Sequence, residues 1–430
     1  MAQNNKTDPR KWSNVYRNYV LLMLTLVYVF NFIDRQLLVI LQESIKKELN
    51  LSDTQLGLLS GFTFALFYVT MGIPIARFAD RGNRRNIVAM SLGLWSLMTA
   101  CSGLARNFTQ LLLARVGVGV GEAGGSPPAH AMISDYFLPR KRATALAFYS
   151  AGLYVGVLIG YLMGGYLNQE LGWRTAFYVL GIPGVLFSLL VYLTVKEPRR
   201  GATDNSSVVN EPHSLVQVIR LLYSKKTFVY LALGSGLHVF CIYGLFNWEP
   251  SFLARLHGME TAEIGVSLGL IFGCTGAIGT FAGGFLTDFF GEKDKQWYLR
   301  IPTYAIIASI PFVVGMLFLK ETFYSLGCLG VCSFLYSMYL GPSLALSHFL
   351  VSASLRALTS AVFFLVINLV GLGFGPLVVG IISDLLTPAF GNESLRWAMT
   401  CILIVSAGSI LLFLKAAKKL TKDIGDVPRG

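Results

Sequence analysis

Charge is what this 430-residue sequence has least of. Asp, Glu, Lys and Arg together make 13% of it, against about 25% in a soluble domain. So few charges cannot cover a water-facing surface, which excludes an ordinary globular protein. They are also gathered, leaving residues 143–167, 175–195, 301–319 and 397–414 with none. About 18 apolar residues in a row suffice to cross the hydrocarbon core as a helix. The short alternating segments of an outer-membrane barrel are missing. Also missing are a metal-ligand cluster, a His-Glu-x-x-His pair, a Walker loop and a nucleophile elbow. Neither an enzyme nor direct ATP coupling is expected, and no cofactor and no metal. Six cysteines (Cys101, Cys241, Cys274, Cys328, Cys332 and Cys401) all fall in apolar segments and form no Cys-x-x-Cys pair. They read as small packing residues. Residues 1–17 are polar and basic, and the apolar run after them is too long for a signal peptide's core, so the first helix is expected to be retained.

What is present is a long alternation of apolar runs and polar joints. The reading is an all-α membrane protein with twelve spans, near 18–41, 53–76, 86–105, 108–137, 143–168, 174–195, 227–253, 262–287, 300–319, 322–352, 357–387 and 394–415. The longest joint, 196–226, divides the chain into an N-terminal six-helix bundle (1–195) and a C-terminal one (227–430), with the joint as a central loop. With both termini placed on the cytoplasmic side, inner segments hold 26 of the 35 Lys and Arg, outer loops hold 7, and two lie within spans. That asymmetry follows the positive-inside rule, and it accounts for the net charge of +12 without nucleic acid.

The halves repeat. Ala76-Arg-Phe-Ala-Asp80-Arg81-Gly-Asn-Arg84-Arg85 stands between spans 2 and 3, and Gly284-Phe-Leu-Thr-Asp288-Phe-Phe-Gly291 between spans 8 and 9. The two aspartates are 208 residues apart, nearly half the chain. Such repeats are expected of carriers that rock one half against the other.

These loops resemble the Gly-x-x-x-Asp-Arg-x-Gly-Arg-Arg hallmark of the major facilitator superfamily. The second copy fits at Gly284, Asp288 and Gly291. The first departs from it, with Ala76 for the first glycine and Asn83 for the second. The variant Asp80-Arg-Gly-Asn-Arg-Arg is similar to the spinster (Spns) branch. So are Asn31-Phe-Ile-Asp34-Arg35 and Arg115-Val-Gly-Val-Gly-Val-Gly-Glu122-Ala. The resemblance implies two six-helix bundles, alternating access, and a cavity lined by spans 1, 4, 7 and 10. It gives Asp80 a capping role at an inner helix contact, and makes Arg81, Arg84 and Arg85 stabilisers of the outward-facing closure. Plain positive-inside charge is the simpler account of the arginines.

Charges within a span are costly and usually face a cavity. Span 1 carries Asp34 and Arg35, and span 4 carries Arg115 and Glu122. Asp34 and Arg115 fall at similar depth, and Glu122 two turns deeper on the face of Arg115. Asp34 is therefore expected to pair with Arg115 or Arg35, and Glu122 to stand alone near the midplane. A carboxylate exposed to each side in turn, with a shifting arginine partner, can load and release a proton. The structural alternative is a permanent ion pair locking spans 1 and 4. Gly119-Val-Gly121-Glu-Ala-Gly124 matches a dinucleotide fingerprint but follows no strand, so it reads as close helix packing, and Pro127 and Pro128 then bend the helix. The glycines of span 5, from Gly152 to Gly165, form another packing face. The C-terminal half offers only His238, Glu249, Tyr336, Tyr339, His348 and Asn368 as cavity candidates. Of these, His238 is either titratable or simply hydrogen-bonded, and Glu249 is a gate or a rim charge.

One charged wall and one greasy wall suit an amphiphile with an anionic or zwitterionic head, and the spinster resemblance points to lysolipids and sphingolipid phosphates. The expectation is a monomeric, proton-coupled secondary carrier in a bacterial inner (plasma) membrane, with membrane lipids, protons and a small amphiphilic substrate as partners. The alternative is a carrier of drugs, sugars or small organic anions, and behind it a channel or sensor.

Overall fold

The computed structural model describes residues 12–201, 215–352 and 355–425. Among them there is no strand. The helices are α1 (Asn14–Leu49), α2 (Asp53–Gly57), α3 (Thr63–Arg81), α4 (Arg84–Ser102), α5 (Phe108–Glu122), α6 (Ser126–Tyr136), α7 (Pro139–Thr194), α8 (Leu215–Ser224) and α9 (Lys226–Phe246). Then follow α10 (Glu249–Leu256), α11 (Thr261–Leu270), α12 (Gly276–Gly291), α13 (Trp297–Phe318), α14 (Thr322–Ser337), α15 (Leu340–Phe349), α16 (Arg356–Ile367), α17 (Phe374–Phe390) and α18 (Ser394–Gly425). Three wide π-turns, Leu58–Phe62, Ile271–Thr275 and Asn368–Gly373, join α2 to α3, α11 to α12 and α16 to α17.

Eight stretches of the described chain are long and apolar enough to cross a membrane by length and composition, and two of these run to 56 and 67 residues. Either of the two exceeds twice the roughly 20 residues one crossing needs. The 56-residue stretch, α7, is broken at Gly172, whose φ of +79° suits a residue without Cβ. Proline and glycine break the others. Pro127 and Pro128 open α6 after the α5 helix has stopped at Glu122, and Pro250 stands in the first turn of α10 after α9 has stopped at Phe246.

The chain forms two compact units. The first takes α1, α3–α7 and residues 260–269; the second takes residues 52–62, α8–α10 and everything from 270 onward. Two helical stretches thus change unit, at 62/63 and at 269/270, each beside a π-turn.

In the first unit α1 is anchored at both ends. Ser13 accepts the Tyr16 N–H at its start, and Asn50, in the left-handed conformation, ends it after Lys46 and Lys47. The glycines of α7 lie against α1. A Cβ on Gly156 would stand 2.6 Å from the Val29 carbonyl oxygen and 2.7 Å from the Phe32 Cβ, so the two backbones meet only because the position has no side chain.

In the second unit the joint expected as loop over 196–226 is helical in part. Val218 and Leu222, one turn apart on α8, are 1% exposed and pack with Phe228, Phe413 and Leu420. An i, i+4 apolar pair suffices to hold a short helix against a core. Residues 202–214 of that joint lie outside the described residues. The last helix runs to Gly425 rather than stopping near 415, because Ala416 and Leu420 continue its buried stripe.

Candidate transport site

The first unit brings Asp34, Arg35, Arg115 and Glu122 together. Asp34 is 1% exposed, Arg115 2% and Glu122 1%, so three of the four charges are nearly sealed from solvent. The pairing differs from the sequence expectation. Glu122 does not stand alone: its Oε2 accepts from Arg35 Nε at 2.8 Å. Asp34 pairs with neither arginine, and both its oxygens lack a hydrogen-bond partner. Its neighbours are the charges of Glu122 and Arg115 and the Thr99 hydroxyl of α4. Successive residues of a helix point about 100° apart, so Asp34 and Arg35 approach α5 from different directions. Arg35 takes the side of Glu122. Its guanidinium carbon lies 5.0, 4.7 and 5.2 Å from the ring centres of Phe32, Phe64 and Tyr68, an aromatic seat that holds a cation without taking its hydrogen bonds. Arg115 lies 5.8 Å from the Phe64 ring, and its Nε and Nη1 are buried without a hydrogen-bond partner. The site therefore holds one closed ion pair and, next to it, an unclosed carboxylate and guanidinium.

The loop between α3 and α4 shows what the arginines of the motif do. Arg84, 5% exposed, donates from Nη1 to Asp135 at 2.6 Å, from Nε to Glu197 at 2.7 Å and from Nη2 to the Pro198 carbonyl at 2.9 Å. Arg85 gives its backbone N–H to Glu197 at 2.8 Å, and its side chain reaches the Tyr192 carbonyl over the Tyr192 ring. Arg200 closes the assembly on the Ala79 and Gly82 carbonyls at 2.7 and 2.8 Å. All these contacts lie within the first unit. Arg81 is exposed and makes no such bond among the described residues, and the Asp80 side chain lies outside them. In the second copy Asp288 is exposed, Gly284 is open on its Cβ side, and Gly291 is packed under the Tyr298 ring.

In the second unit His238 donates from Nε2 to the Tyr336 carbonyl oxygen, 2.9 Å away, and stands edge-on to Tyr336 and Tyr339. It is thus a hydrogen-bonded core histidine, with Nδ1 buried and unpaired. Glu249 is not a rim charge: it is fully buried, and neither carboxylate oxygen has a hydrogen-bond partner. Pro250 follows it in the first turn of α10. His348 lies 2.7 Å from the Ser360 hydroxyl and Asn368 donates to the Phe364 carbonyl at 2.9 Å, so these two are not part of the His238 group.

Sequence reasoning missed a further cluster of the second unit. Asp53 is 2% exposed and is gripped by Arg255 through Nη1 at 2.8 Å and Nη2 at 2.7 Å. Ser383 donates to Asp53 Oδ2 at 2.7 Å. Asp384 accepts the backbone N–H groups of Asp53 and Thr54 at 3.0 and 2.8 Å, so a carboxylate of α17 caps the positive end of α2. Two signals could have found it. Ser52-Asp-Thr-Gln55 is a capping box, observed as such. Asp384 is an acid inside an apolar run.

Among the described residues no group of His, Cys, Asp or Glu is placed to hold a metal ion, and all six cysteines are free thiols.

Comparison with known proteins gives the family. The model of the Major Facilitator Superfamily matches residues 24–376. An MFS-type efflux pump of Mycolicibacterium smegmatis is 36% identical over 400 residues, 92% of each chain. The crystal structure of a bacterial homolog to the human lysosomal transporter Spinster, inward-facing and unoccupied, is 33% identical, with a TM-score of 0.89 over 96% of this chain and 99% of that one. A probable L-galactonate transporter of Escherichia coli is 28% identical over 279 residues, 62% of this chain and 61% of its own. The chain belongs to the Major Facilitator Superfamily and, within it, is a multi-pass inner-membrane transporter of bacterial spinster type, not an enzyme.

Proposed function

We propose that this transporter couples proton movement to alternating access and carries an amphiphilic, lipid-like solute such as a lysolipid, crossing the membrane twelve times as a monomer with both ends cytoplasmic. The observation that carries the reading is Asp34: a buried carboxylate with Glu122 and Arg115 as charged neighbours, the Thr99 hydroxyl beside it and no arginine closed on it among the described residues. Leaving a charge buried and unpaired costs several kcal/mol, roughly. Uptake of a proton removes that cost, and loss of the proton restores it, so Asp34 responds to any movement that brings Arg115 nearer or takes it away. Glu122, closed on Arg35, is the second group whose pairing can change. An anionic headgroup suits Arg35 and Arg115 once the carboxylates are neutral, because a guanidinium offers a planar fork to phosphate.

The test is uptake of lysolipid into proteoliposomes with and without an imposed pH gradient, for wild type and Glu122→Gln. Gradient-driven uptake in the wild type, lost in a folded variant, supports both coupling and substrate. A wild type that is monodisperse yet moves no lysolipid under any gradient sinks the substrate assignment.

A second reading rests on the resemblance to a probable L-galactonate transporter: the same two guanidiniums would then receive a small organic carboxylate. Competition of such acids with lysolipid in the same vesicles separates the two.

A further inference from the structure

A groove of about 440 Å³ lies between the first turns of α13 and the last turns of α18, within the second unit. That volume is in the range of about 300–1,000 Å³ that small-molecule sites occupy. Its lining has two chemistries in sequence. Toward the chain ends stand Arg300, Lys415 and Lys418, and no Asp or Glu lines it. One turn further along each helix stand Tyr304, Leu411 and Leu414, which are 55%, 58% and 45% exposed. In the apolar windows of these helices such exposure faces lipid tails.

Arg300 is held in place by a partly exposed ion pair with Asp294, so the unpaired positive charge of the groove is that of the two lysines. It donates to Gln296 Oε1 at 2.6 Å and reaches Asp294 at 3.2 Å, and its guanidinium carbon lies 5.6 Å from the Trp297 ring. Lys415 and Lys418 are both exposed and have no ion-pair partner among the described residues. Three cations around a groove that opens sideways onto an apolar strip match one kind of molecule: a phosphate diester carrying acyl chains. Basic pockets between helices at the membrane surface take anionic headgroups for this reason.

We infer that this groove is a binding site for an anionic phospholipid of the leaflet next to the C-terminal end of α18, with the phosphate against Arg300, Lys415 and Lys418 and the acyl chains along Tyr304, Leu411 and Leu414. The site is separate from the charges of the first unit and does not depend on which solute is carried. A bound lipid fastens the end of α18 to the start of α13, and so stabilises the second unit as any ligand specific for the folded state does.

The experiment titrates the full chain, purified in a neutral detergent, with phosphatidylglycerol and with phosphatidylcholine, and counts bound lipid by native mass spectrometry. Each basic residue near such a headgroup is worth about 1 kcal/mol, or about fivefold. The double variant Lys415→Gln/Lys418→Gln is expected to bind phosphatidylglycerol about thirtyfold more weakly and phosphatidylcholine unchanged. The control Lys47→Gln/Lys320→Gln, which removes equal charge elsewhere, is expected to bind as the wild type does. Should the double variant fail to fold, Lys418→Gln alone is expected to lose about fivefold. The proposal is overturned if the variants retain wild-type affinity, if the control weakens binding equally, or if millimolar inorganic phosphate raises the melting temperature as much as phosphatidylglycerol does.

Discussion

Arg255 meets the Asp53 carboxylate with both arms of its guanidinium, at 2.8 and 2.7 Å, and thereby ties the start of α2 to α10. Asp53 is almost wholly buried, so the partner cannot be replaced by water. Removing one member of a buried pair typically costs about 3–5 kcal/mol. Arg255→Ala is therefore expected to lower stability by about 3 kcal/mol. Arg255→Lys, which keeps the charge but not the fork, should lose roughly half as much. Thermal melts in detergent measure both. Equal melting of Arg255→Ala and wild type would show that Ser383 and Asp384 hold Asp53 unaided.

Asp34 and Glu122 differ in partners, so their neutral variants should differ in effect. Asp34→Asn keeps the shape of a group that has no ion pair to lose. It should fold as well as wild type while flattening the pH dependence of transport. Glu122→Gln removes the charge that Arg35 is paired with and should lose about 1.5–3 kcal/mol, the worth of a hydrogen bond to a charged group. A pH profile and a melt on each variant separate the effects. An Asp34→Asn profile that tracks the wild type across the pH range would remove Asp34 from the coupling scheme.

Arg81 and Arg84 stand three residues apart in one motif, yet only Arg84 is bonded, to Asp135, Glu197 and Pro198. Arg84→Ala is expected to cost about 3 kcal/mol or more. Arg81→Ala should stay within about 0.5 kcal/mol, as surface substitutions do. A pair of melts decides it, and comparable losses at both positions would contradict the assignment.

Gly156 sits against the backbone of α1, with no flexible side chain in the way to yield. Gly156→Leu should prevent α1 and α7 from closing and remove folded protein from detergent extracts. Gly172→Ala is strained only by its positive φ and should cost about 1–2 kcal/mol. Monodisperse, wild-type-like Gly156→Leu by size exclusion would rule out the close approach.

Much of the site was legible in the sequence, because a charge in an apolar run is conspicuous. Asp34, Arg35, Arg115 and Glu122 announced themselves in this way, and they do meet. Their pairing was not legible: depth follows from residue spacing, but which neighbour an arginine chooses depends on the rotation of two helices and on the rings of Phe64 and Tyr68, contributed by a third. The partners of Arg84 were hidden for a different reason. Asp135 and Glu197 lie 51 and 113 residues away, the first at the end of span 4 and the second in the polar joint after span 6, where an acid is ordinary. Asp53 and Asp384, 331 residues apart, meet only through folding. The helix α8 was hidden because its two buried residues are too few to show a period in a charged segment.

The wide turns at Leu58–Phe62 and Ile271–Thr275 stand where α2 gives way to α3 and α11 to α12. Such a turn stores one residue of slack. When the surplus residue migrates along a helix, the stretch it passes over rotates by about 100° while both ends keep their register. Side chains on that stretch can be re-aimed without breaking the Asp53 anchor at one end or the packing of α3 at the other. In a carrier that alternates access as proposed, these turns would let side chains be re-aimed while the helices stay anchored at their ends.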